Sequence, residues 1–210
     1  MSRWEKALVG GFIGAAAPFT FMVIGWWGSA SLLMAGLLRV TDAQIAMAAC
    51  LGLALGLLLD LAFLRRWIGA FYRVNLRLLA PIYLCWTAIA TAFFMGLPLG
   101  NLVLGTAAGA YVGRRAVNGA IQRPDRWRLV GRTSLFTAGV TSAAALGIGL
   151  LAAREPYTLA PFRRLLGLDQ AATTLTVDLA IVSVAVVLLA AVQFWLTRLS
   201  AVVTMRLVAK

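Results

Sequence analysis

Residues 95–115 read MGLPLGNLVLGTAAGAYVGRR, and the organisation of the chain turns on how this stretch is used. It is mostly apolar, yet it carries Pro98, Asn101 and five glycines, and it ends on Arg114 and Arg115. Three readings compete: a membrane-crossing helix, a half-helix that begins at a binding site, and a span packed tightly against its neighbours. Residues 101–113 alone make about 20 Å of helix, too short for a hydrocarbon core of about 30 Å, whereas residues 97–118 are long enough. Pro98 suits the first turn of a helix. Arg114 and Arg115 complement its C-terminal dipole. Gly105, Gly109 and Gly113 recur every four residues and so line one helix face. In lipid such a face lets two backbones approach closely. A continuous helix is therefore expected. The other reading is a helix that starts at Asn101 and aims its N-terminus into a cavity, as the broken helices of transporters do.

Outward from this stretch, the chain has the composition of a membrane protein. Its 210 residues are 62% hydrophobic and 12% charged, with mean hydropathy +0.90. A soluble domain is about a quarter charged. The apolar runs do not alternate with polar residues, which argues for α-helices and against a transmembrane barrel. The fold class expected is an all-α integral membrane protein, a compact bundle of six transmembrane helices filling residues 1–210 as a single domain. The spans fall at about 7–27, 43–64, 78–96, 98–115, 133–153 and 172–197. The N-terminal run starts like a secretion signal but stays apolar to about residue 38, too long for a cleaved segment, so it reads as the first span. The surplus at residues 28–38 reads as an interfacial or re-entrant piece. Thr41 and Asp42 are placed to cap the second span.

The net charge is +12, from nineteen Lys and Arg against seven Asp and Glu. Six spans put both termini and the loops near residues 65–77 and 114–132 on one side. Fifteen of the nineteen cations then lie on that side, and only Arg39, Arg154, Arg163 and Arg164 on the other. This bias predicts cytoplasmic termini in a multi-pass protein of the cell membrane, of the prokaryotic inner-membrane kind. It accounts for the charge through anionic lipid headgroups, without nucleic acid.

The chain has no histidine, which removes imidazole bases, His-ligated haem and His metal sites. Cys50 and Cys85 cannot make a four-thiolate metal site, and their depths argue against a disulfide. No cofactor or metal is expected. No nucleophile elbow, zinc-protease helix or phosphate loop is present, so an enzyme is not favoured.

A carboxylate inside a span is costly and marks a site by default. Asp60 shares a face with Gly52 and Gly56 and so points into the bundle, where pairing with Arg65, Arg66, Arg114 or Arg115 is its structural explanation. Asp178, with Thr174 four residues before it, has no basic residue within two turns of its own helix. Asp178, Asn101, Asp60 and Thr174 are the candidate ligand- or ion-binding residues, with an outward cavity near 98–101 expected to meet Asp178. Gly105, Gly109, Gly113, Gly52 and Gly56 are the expected helix-packing residues. Further stripes occur at Gly10 and Gly14 and at Gly139, Ala143 and Gly147. The functional expectation is a small transporter or channel, or its membrane subunit. The alternative is a non-catalytic assembly subunit, docking on a second copy or a partner through small-residue faces.

Overall fold

The computed structural model describes residues 3–37, 39–94, 97–119, 121–154, 159, 167 and 175–208. Among these residues the protein is all-helical. The six α-helices are α1 (Arg3–Met34), α2 (Asp42–Ala70), α3 (Leu76–Phe93), α4 (Leu99–Asn118), α5 (Arg123–Ala152) and α6 (Leu175–Val208). The chain divides into two compact units, Met1–Val74 and Asn75–Lys210.

In the first unit α1 and α2 form an antiparallel hairpin. Helix α1 runs unbroken through Trp27 to Met34, so the expected interfacial piece at 28–38 is simply more helix up to that point. Gly36 ends it with φ +68°, while Leu37 N–H reaches Leu32 O and Gly36 N–H reaches Leu33 O. This left-handed glycine cap supplies partners for carbonyls that the helix end would leave open. Thr41 then caps α2 reciprocally: Gln44 N–H donates to Thr41 Oγ1, and Thr41 N–H donates to Gln44 Oε1 at 2.9 Å. The seam is built on glycine. A Cβ at Gly25 would strike the backbone of Ala48, one at Gly52 that of Phe21, and one at Gly56 that of Pro18. The expected packing role of Gly52 and Gly56 is thus met by α1. Helix α2 overruns its expected end, because Arg65 and Arg66 are good helix formers whose exposed side chains do not interrupt it.

In the second unit α5 begins at Arg123, ten residues before the expected start of its span. The basic stretch 123–132 is helix, not loop: Pro124 sits in the first turn and Asp125 complements the N-terminal dipole. Helix α6 likewise carries the basic tail as helix to Val208. Five helices are long and apolar enough to cross a membrane: α1, α2, α3, α5 and α6. Helix α4 is not among them. Its four glycines, Asn101 and its two arginines lower its hydropathy, and yet seven of its twenty residues are buried, more than in any other helix among the described residues. Its neighbours shield it, so its own surface has little need to be apolar.

The distribution of polarity is inverted relative to a soluble protein. Leu61, Met34 and Leu37 are among many large apolar side chains left exposed, whereas Asn101, Ser134, Thr137, Thr141, Gln193 and Thr197 are fully buried. That inversion is what a lipid solvent selects, because apolar side chains cost nothing there and polar ones must be enclosed.

The stripe Gly139–Ala143–Gly147 does not pack as expected. Nothing lies within 4 Å of a Cβ placed on Gly139 or Gly147. These residues instead line an apolar groove of about 780 Å³ between α3 and α5. The face of α5 that is buried carries Ser134, Thr137, Thr141 and Ala145. Hydroxyls gain more by leaving lipid than glycine and alanine do, so the hydroxyl face takes the protein interior. Cys50 is exposed.

Candidate functional site

The site is assembled by the register of α4 and α5 on α6. Gly105 lies on Gln193, Gly109 on Thr197 and Gly113 on Ala201. The offset is 88 residues at all three, so α4 and α6 run parallel and in step. Each glycine is needed where it stands. A Cβ on Gly105 would overlap the Gln193 amide nitrogen, and Cβ atoms on Gly109 and Gly113 would strike the Thr197 and Ala201 carbonyl oxygens. The packing face expected from 105–109–113 is the α4–α6 seam. Ser200 Oγ ties it further by donating to Thr106 O at 2.8 Å.

Helix α5 joins antiparallel. The Thr137 and Thr197 hydroxyls share a hydrogen bond of 2.9 Å, and Gly149 packs on Val182 near the far end. Gln193 Nε2 donates to Thr197 Oγ1 at 3.3 Å, and Thr137 Oγ1 donates to Ser134 O at 3.1 Å. A polar chain therefore runs from α6 to α5 through an interior with no exposure at any of its side chains.

Around it lie polar atoms that nothing satisfies among the described residues: Asn101 Oδ1 and Nδ2, Gln193 Oε1, Ser134 Oγ and Thr141 Oγ1. Buried polar groups are almost always paired, and each orphan costs about 1–3 kcal/mol. The registers set their depths. Thr141 lies one turn beyond Thr137 on α5, level with Gln193 one turn before Thr197 on α6. Asn101 lies one turn before Gly105, on the same side of the Gln193 level. Three helices thus bring orphaned groups to within about one turn, roughly 6 Å, of one depth.

No charged side chain among the described residues joins this cluster. Arg132 is exposed. Arg198, next to Thr197 in sequence, is exposed and lies over the outward Trp195 ring at 5.6 Å.

Asn101 is the third residue of a continuous α4, so no half-helix starts there. Yet the register places Leu99 level with Val187, some 18 Å along α6 from Leu175. Asp178 is buried at 6% exposure and has an interaction partner. The same register puts Asn101 level with Leu189, about 16 Å from Asp178, so the two do not meet. The groove between α3 and α5 includes neither of them in its lining. Thr174 lies outside the described residues. Asp60 belongs to the first unit. It is 6% exposed, and neither carboxylate oxygen has a partner among the described residues, so the expected ion pair with a nearby arginine does not form there. The hydroxyl face of α5 was missed in the sequence reading, although Ser134, Thr137 and Thr141 stand at i, i+3 and i+7, the spacing of one helix face.

Thr197 is the hub of the polar chain. Thr197→Val is expected to lower unfolding free energy in detergent by about 1–2 kcal/mol, the scale of interhelical hydrogen bonds in membranes. Ser183→Ala removes only a hydroxyl turned back on Leu179 O at an exposed position and should leave it unchanged. Equal melting of both variants would mean that the chain is not made.

No protein-family model, curated protein or solved structure matches this chain.

Proposed function

We propose that the protein is a six-span protein of the cell membrane with both termini in the cytoplasm, and that it is a small transporter or channel, or the membrane subunit of one. Five helices are long and apolar enough to cross a membrane. Helix α4, twenty residues or about 30 Å, is the sixth crossing, sheltered by α3, α5 and α6. The cation bias of fifteen to four supports an even number of crossings. Reporters fused after Lys210 and within residues 155–170 should report opposite sides of the membrane. The same side for both would remove the six-span arrangement.

The observation that carries the transport reading is the orphaned polar cluster of α4, α5 and α6. A purely structural bundle gains nothing from enclosing an asparagine with neither amide atom paired. A binding site does, because a ligand supplies the partners. Purified protein in liposomes should pass a solute that empty liposomes retain, and Gln193→Met, similar in volume but unable to hydrogen-bond alike, should stop it. A folded protein that moves nothing would sink the reading.

A second reading, an assembly subunit, is favoured by the open stripe at Gly139 and Gly147 on α5. It requires self-association or capture of a partner helix that Gly139→Leu prevents.

A further inference from the structure

We infer that the cluster centred on Gln193 takes an uncharged, hydrogen-bonding solute that offers both donors and acceptors, in preference to an inorganic ion. The inference rests on the transport reading and specifies its substrate class.

The composition of the orphaned groups carries it. Asn101 presents both a free amide N–H₂ and a free carbonyl oxygen. Gln193 presents its carbonyl oxygen alone, because its N–H₂ is directed to Thr197. That bond occupies the Gln193 N–H₂, so Oε1 is left as a buried acceptor with no partner among the described residues. Thr141 adds a hydroxyl that donates or accepts. A metal or ammonium cation would use the oxygens but would find the Asn101 N–H₂ opposed to it. An anion would find the N–H₂ but would meet two carbonyl oxygens. A polar molecule without charge uses both kinds.

Charge balance points the same way. Moving a charged group to this depth costs at least about 2.5–3.5 kcal/mol, and the site must return that through a counter-charge. None is there. By the α4–α6 register Asp178 is fifteen residues up the helix from Gln193, about 22 Å. Arg198 lies outward over Trp195. A neutral amide or polyol has a far smaller desolvation cost, about 1–3 kcal/mol per polar group, and recovers it through hydrogen bonds to groups that are otherwise unsatisfied.

The test uses the full chain in liposomes. Stopped-flow light scattering reads urea, acetamide, glycerol and water permeability, and fluorescent indicators inside the vesicles read sodium, potassium and chloride entry. The variants are Gln193→Met and Thr141→Val, each close in shape to the native residue, with monodispersity in detergent confirming that they fold. The wild type should raise the permeability of at least one uncharged solute tenfold or more over empty vesicles. Both variants should bring it back to the empty-vesicle rate, and no ion flux should appear. An ion flux abolished by Gln193→Met would overturn the neutral-solute assignment while leaving the transport reading standing. No flux of any kind from folded wild-type protein would overturn both.

Discussion

Gly109→Leu is expected to abolish recovery of monodisperse protein from detergent. Even one added carbon at this position would meet the Thr197 carbonyl, with Ser200 Cβ at 3.1 Å behind it. Neither is the far end of a flexible side chain, so the α4 and α6 backbones would have to separate. Overpacking commonly costs about 1–3 kcal/mol even where side chains can shift. Here separation also breaks the bond from Ser200 to Thr106 and disturbs the Gln193–Thr197–Thr137 chain. The loss is therefore a large part of an ordinary folding free energy of about 5–15 kcal/mol. Gly109→Ala should fold but melt earlier, by about 1–3 kcal/mol. Two controls separate this seam from glycine content in general. Gly139→Leu extends into open space, and Val103→Leu changes a side chain that is 69% exposed. Both should stay within about 0.5 kcal/mol of the wild type. Thermal unfolding of all four, followed by size-exclusion chromatography, decides the matter. A Gly109→Leu protein that melts with the wild type would show that α4 and α6 are not paired in this register.

Asp60→Leu is expected to stabilise the α1–α2 hairpin. Asp60 is 6% exposed, and its two oxygens lack any partner among the described residues. An aspartate inside a membrane helix costs up to about 2.5–3.5 kcal/mol on insertion scales, and a leucine returns that and gains apolar contact. The gain should be about 2–3 kcal/mol, read as a higher melting temperature in detergent. Asp60→Asn keeps the shape, removes the carboxylate and should move stability the same way by less. Asp42→Leu makes the contrast. Asp42 is exposed in the first turn of α2, where its charge complements the helix dipole, so its loss should cost about 0.3–1 kcal/mol. If Asp60→Leu instead costs about 3–5 kcal/mol, it has broken a buried ion pair, and Asp60 has a basic partner after all.

The sign of that prediction is the reverse of what sequence reading suggests. Arg65 and Arg66 stand five and six residues after Asp60, close enough in sequence to invite a pair. On a helix they are turned well away from it, since only positions three and four apart share a face. Whether a neighbouring helix then supplies a partner is a matter of tertiary placement. The same limit separates Asn101 from Asp178. Both sit near the expected outer ends of their spans, but the α4–α6 register is set by which glycine meets which residue of α6, and that puts them about 16 Å apart.

By itself the sequence determined that this is a helical membrane protein, because the length and apolarity of its runs answer to the thickness of a bilayer and to nothing else in the fold. It determined the close-packing face at Gly105, Gly109 and Gly113, because a four-residue period becomes one helix face under local geometry alone. It also showed Gly52 and Gly56 as a small face, and Thr41 as a cap. Only the tertiary structure decided which small faces find partners. Gly105 and its companions receive α6, whereas Gly139 and Gly147, with the same spacing, remain open. The two stripes are alike in sequence, and the difference lies on the rest of each helix. Helix α5 also carries Ser134, Thr137 and Thr141 on another face, and hydroxyls excluded from lipid outrank glycines for the interior. That competition is between helices, so no single segment records its outcome.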